Sequence, residues 1–149
     1  MPTTSRERVL AAFHAAIAGV AELATVARNP DWAANPPASD ALPAAAVYDG
    51  AERAEAIDVQ DQRITGSVAV ELRTLQGDTA TALSDLNARL GLIQAALGRD
   101  PGLGGLLTGL RYLGCDEPDI VELGASPCEA TLLAHFELER LQPYHNPYA

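Results

Sequence analysis

The chain contains no lysine, and its 149 residues include only one methionine, one tryptophan, two phenylalanines and two cysteines. Each shortage closes a class of function. Cys115 and Cys128 are too few for a disulfide framework and lack a close Cys/His ligand spacing, so they read as ordinary reduced thiols. Ten arginines against twenty acidic residues leave a net charge of −10. Such a chain gains nothing from counterion release at phosphates, which argues against primary nucleic-acid binding. Attraction to an anionic membrane surface is disfavoured for the same reason. No apolar run approaches the roughly 18 residues of a membrane span. The polar start from Met1 to Glu7 has no signal-peptide segment behind it, so the expected location is cytoplasmic.

Catalytic patterns are also missing. Ser5, Ser39, Ser67, Ser84 and Ser126 show no nucleophile-elbow spacing. His14, His135 and His145 are not paired at ligand spacing. The glycine-rich run from Pro101 to Leu107 follows a helical segment and has neither dinucleotide nor P-loop spacing, so a tight turn between helices is the expectation. Asp116-Glu117 and Asp58/Asp61 read as solvated carboxylates. The pair to weigh is Cys128 with His135 or His145, a possible thiolate dyad, although the adjacent Glu129 disfavours the thiolate. No catalytic, cofactor or metal site is expected.

What is present is a pattern of elements. The length fits one domain, residues 1–149, able to bury roughly 68–70% of its unfolded surface. The hydrophobic fraction is 48%, much of it alanine, so the larger side chains carry the core. Thr4 and Glu7 have capping-box spacing, followed by the stripe Leu10, Phe13, Ile17 and Val20, with Gly19 as a stop. Residues 20–27 allow a short strand. Residues 28–43 form a long proline-rich loop around Trp32, and residues 44–48 make a short strand ending in the turn signal Asp49-Gly50.

Residues 50–64 are charged and alanine-rich and read as a second long loop, either mobile or a disordered hairpin arm. Val68, Val70 and Leu72 alternate with Ala69, Glu71 and Arg73, which predicts a half-buried strand. Asp78 caps a helix with the stripe Leu83, Leu86, Leu90, Ile93 and Leu97, ended by Gly98. Asp100-Pro101 restarts a short helical turn. Strands follow at 112–113 and 120–123, then a long alternating strand at 131–141, with an irregular tail at 142–149. The order predicts an α+β fold of two layers: a mainly antiparallel sheet packed by two amphipathic helices.

Several stretches carry a resemblance. They are the helix Arg6–Ala18, the loop ending Leu42-Pro43 before Val47-Tyr48-Asp49-Gly50, the strand Ser67–Leu75, and the helix ending Ala96-Leu-Gly-Arg-Asp-Pro-Gly-Leu-Gly-Gly-Leu. The strand His135-Phe-Glu-Leu-Glu-Arg closes the set, and Asp100-Pro101-x-Leu103-Gly104-Gly105 is the most characteristic part. The chain resembles the tail terminator (tail completion) proteins of long-tailed phages and of phage-derived gene transfer agents. That resemblance implies a homo-oligomeric ring, usually a hexamer. The ring would cap the tail tube and join it to a head-side connector or stopper protein, with a channel through which DNA passes without specific binding. It implies no catalytic residue, and assembly in the cytoplasm before release in a particle. A negative channel wall would repel phosphates.

Long loops on a rigid scaffold carry recognition, so the expected subunit contacts are Asp31 and Trp32 in one loop and Glu52, Arg53 and Arg63 in the other. Tyr144 and Tyr148 in the tail are further candidates. Trp32→Ala is expected to weaken assembly and spare the fold. The alternatives from other classes are a small acyl-group enzyme using Cys128 and a histidine, and a ligand-binding regulatory domain.

Overall fold

The computed structural model describes residues 2–123 and 127–149; Ser126 lies outside the described residues. Helix α1 spans Ser5–Ala18, and Thr4 accepts the Glu7 N–H at its start. The reciprocal half of the expected capping box is not made, because the Glu7 carboxylate turns to Arg28, whose Nη1 donates to it at 2.6 Å. Val9, Leu10, Phe13 and Ile17 bury one face of α1.

Strand β1 (Thr25–Arg28) lies parallel to β2 (Ala44–Ala56), with a 3-10 turn at Ser39–Ala41 between them. β3 (Asp61–Gln76) follows, then α2 (Thr79–Arg99), β4 (Gly109–Cys115), β5 (Asp119–Glu122) and β6 (Cys128–Pro143). The strand order is β1-β2-β3-β6-β4, with β5 also pairing β6. Every pairing except β1–β2 is antiparallel. The fold is the expected α+β arrangement.

Both helices cover one face of the sheet. Phe13 of α1 meets Phe136 of β6 edge-to-face, with ring centroids 5.6 Å apart. Around this pair lie Val68, Val70 and Leu72 of β3 with Leu86, Leu90, Ile93 and Leu97 of α2. Burying each such side chain contributes about 1.5–3 kcal/mol. The α2 stripe therefore does what its spacing predicts, except that Ala82 and not Leu83 is the buried residue at its start.

Five expectations need correction, the last of them after α2. The segment 50–64 is no loop: β2 and β3 continue through it as a paired hairpin, closed by the connection 57–60. Asp49-Gly50 does not turn the chain. It lies in a bulge between Asp49 and Glu52, where a Cβ on residue 50 would sit 2.3 Å from Ser67 Oγ, so glycine is required by close approach. Gly98 does not stop α2, which runs to Arg99. The tail becomes irregular after Pro143 and not at residue 142, because Gln142 and Pro143 pair with Gln62 and Asp61.

The segment after α2 is a turn into a strand and not a turn between helices. Leu103, Gly104 and Gly105 take φ of 47°, 70° and 87° in succession. Asp100 holds them, accepting the Leu103 N–H at its carbonyl (3.0 Å) and the Gly104 N–H at its carboxylate (2.8 Å). Leu103 and Leu107 thereby reach the core. The glycines are there for backbone geometry.

Candidate subunit-contact surfaces

The face of the sheet away from the helices is covered only at one end. There the 28–43 loop folds back and places Trp32 over Ala44 and Ala46, with Ala27, Leu42 and Tyr48 around it. Alanines on β2 leave room for the indole, and the Arg73 guanidinium lies 5.3 Å from the ring centroid, a cation–π distance. Trp32 is only 7% exposed. Its ring is thus part of this subunit's own packing, which corrects the expectation that Trp32→Ala spares the fold. Asp31 beside it is exposed and accepts the Ala34 N–H.

The rest of that face is wet and carries a lattice of ion pairs. Arg111 reaches Glu137 at 2.7 Å, Arg63 lies 3.6 Å from Glu139 and 3.8 Å from Glu55, and Arg73 reaches Glu71 at 2.7 Å and Glu129 at 3.6 Å. His135 Nε2 lies 3.0 Å from Asp116. Solvent-facing pairs contribute about 0–1 kcal/mol each.

Beyond Tyr48, β2 leaves the covered body and forms an arm with the first part of β3 and the end of β6. Glu52 faces inward. It accepts from Arg140 Nη1 at 2.7 Å and lies 3.3 Å from Arg6, with its side chain 25% exposed. Burial alone would raise the Glu52 carboxyl, but Arg140 and Arg6 outweigh it and hold the pKa below the ordinary glutamate range. Arg140 is buried. Its Nη2 also donates to Gln142, which accepts the Ser5 hydroxyl at 2.7 Å. The tail is tied to the same region: Pro147 O accepts the Ser5 N–H at 2.7 Å, Arg8 donates to Tyr148 O, and the Tyr144 N–H donates to Gln60 O.

The seven residues expected at contacts therefore divide. Trp32 and Glu52 are used inside the subunit. Arg53 is exposed, Arg63 is half-exposed on the wet face, and Tyr144 and Tyr148 sit where the tail meets the arm and α1. Asp31 stands apart, beside the Trp32 loop. The sequence reading missed Val59 at the arm's tip, 94% exposed; it set Arg140 in line with the apolar side of β6 but gave its buried charge no role. The parity of β6 was the available signal for Arg140, since it falls in step with Phe136 and Leu138.

Parity also separates the one candidate dyad. Cys128 is buried on the helix side of β6, near Thr79. His135 is an odd number of residues away on the same strand, so its side chain leaves the opposite face, where it meets Asp116. His145 lies past the far end of β6. Neither histidine activates the thiol. Among the described residues no cluster of His, Cys, Asp and Glu is arranged to hold a metal ion, and no helix is long and apolar enough to cross a membrane.

No protein-family model and no curated protein matches the chain. Among solved structures, it is similar to a chain of the "Virion of native gene transfer agent (GTA) particle", with 16% identity and a TM-score of 0.37 over 89% of this chain and 95% of that one. A likeness this slight transfers nothing from that particle to this chain.

Proposed function

We propose that the chain is a non-catalytic structural subunit of a phage-like tail. Copies of it form a ring that ends the tail tube and joins it to the head-side connector, leaving a channel for DNA. The observation that carries this reading is the arm. Residues 51–60 of the hairpin are exposed throughout, yet they are built as paired strand and closing connection, anchored through Glu52 to Arg140 and Arg6. An ordered projection with an apolar tip, Ile57 and Val59, is a costly feature for a subunit that acts alone. The sequence resemblance supplies the kind of assembly, and the Asp100–Gly105 turn that carries it most strongly is a structural element. A net charge of −10 suits a channel wall that must not retain DNA.

In this reading the ring is a hexamer, assembled in the cytoplasm and released in a particle. Asp31, Arg53, Arg63, Tyr144 and Tyr148 contact neighbouring subunits, the tube or the connector. Light scattering on the purified chain, alone and with purified tube subunits, tests it. A closed species of fixed mass is expected; monomers under both conditions would contradict it.

A further inference from the structure

Among the described residues, no strand pairs with the outer side of the second half of β2 or with the outer side of β4. On one side β1 pairs with β2 only from Ala44 to Val47. The next groups are taken by side chains: Asn29 accepts the Asp49 N–H at 2.9 Å, and Arg6 donates to Gly50 O at 2.8 Å. From Glu52 to Ala56, β2 has β3 on one side and, among the described residues, no strand on the other. Ile57 N–H donates to Asp61 O at 3.2 Å. Counting back by the antiparallel alternation, the N–H groups of Ala54 and Ala56 point outward. On the opposite side, β4 pairs among the described residues with β6 alone.

Edges of self-sufficient sheets are commonly blocked by proline, charged side chains or bulges, or are covered. Here each edge strand has one bulge, at Asp49/Glu52 and at Tyr112/Gly114, and the arm carries charge. No proline lies between Pro43 and Pro101 or within β4. The polarity of the two edges is complementary as well. β2, β3, β6 and β4 alternate in direction, so β2 and β4 run oppositely. A copy placed beside β4 with its sheet facing the same way therefore presents its β2 antiparallel to β4.

Charge disfavours the symmetric pairing of β4 with itself. Arg111 on β4 keeps its side chain 69% exposed, and Glu55 on the arm keeps its side chain 72% exposed. Both lie on the wet face, where Arg111 meets Glu137 and Glu55 meets Arg63. Pairing β4 with β4 would set two copies of Arg111 near each other. Pairing arm with arm about Ala54 would set Arg53 opposite Glu55, but it would leave the β4 edge without a partner. Pairing arm with β4 sets unlike charges together.

The geometry points to a second copy of this chain as the partner of both edges: residues 52–56 of one copy add as a strand beside β4 of the next. The sheet then runs on from subunit to subunit through a heterologous contact, which closes as a ring or extends as a filament. Closure is the part that rests on the ring reading above.

Light scattering with size exclusion over a range of concentrations tests the edge pairing. Ala54→Pro and Ala56→Pro remove outward N–H groups without removing a bond to β3. Each is expected to weaken association about tenfold or more while melting like the parent chain. Glu55→Arg and Arg111→Glu are each expected to weaken association, and the double variant to restore it. Within one copy these residues stand three strand spacings apart, about 14 Å at roughly 4.8 Å each, so rescue reports a contact between copies. If the parent chain associates and neither the prolines nor the charge reversals weaken it, edge pairing is wrong while the ring reading stands. If the parent chain is monomeric at every concentration, edge pairing is wrong; if it also stays monomeric with tube subunits, the ring reading falls too. A proline variant that melts early leaves the decision to the charge pair, where absence of rescue overturns the proposal.

Discussion

The two halves of β2 are parts of one strand with opposite surroundings. Ala44, Ala45, Ala46 and Val47 are each 0% exposed, sandwiched between the helices' core on one face and the Trp32 cluster on the other. Residues 51–56 of the same strand are all exposed. The first half is held by packing from both faces. The second is held by its ladder to β3 and by one inward carboxylate, Glu52. Its outer edge, beside which no described strand lies, is the proposed contact with a second copy.

The largest effect that separates the halves is expected in the covered body. Phe136→Ala removes the ring that meets Phe13 and should cost about 3–5 kcal/mol, read from chemical denaturation of the monomer. Trp32→Ala comes next, at about 3 kcal/mol, because the ring fills the space over Ala44 and Ala46. A stability like the parent's would mean that the Trp32 loop is no cover at all.

Glu52 sits at the boundary, and Glu52→Gln is expected to cost about 2 kcal/mol near neutral pH by weakening a charged hydrogen bond to Arg140. The carboxyl's folded pKa is lowered. Its contribution is therefore fully present above the ordinary glutamate pKa and is lost as pH falls through the lowered folded value. The variant should show a flatter acid limb in a plot of stability against pH, and an unchanged limb would show that Arg140 does not hold Glu52. The smallest effect belongs to the tip: Val59→Asp should change monomer stability by no more than about 0.5 kcal/mol, since Val59 touches little. A loss near that of Trp32→Ala would erase the distinction between body and arm.

The body was largely legible in the sequence, because its alternations are apolar. Leu132 to Leu138 and Val68 to Leu72 carry their burial in their spacing. The arm was not. Ala-Glu-Arg-Ala-Glu-Ala has no apolar alternation, and its strand comes from β3 and β6 continuing beside it. Trp32 was misplaced for a related reason. A proline-rich loop gives no local sign of where it folds back, and the space over Ala44 and Ala46 is a property of a strand more than ten residues on. Gly50 read as a turn because its steric reason, Ser67, lies across the ladder. Local pattern reports the covered surfaces; partners far along the chain decide the rest.

Site-resolved hydrogen exchange on free and assembled protein tests the central claim that the arm's outer edge is a subunit contact. In the free subunit the amides of Ala54 and Ala56 should exchange fast while those of Arg53 and Glu55, bonded to β3, are protected. On assembly Ala54 and Ala56 should become protected together with β4. Fast exchange at both alanines in the assembled protein would contradict the account.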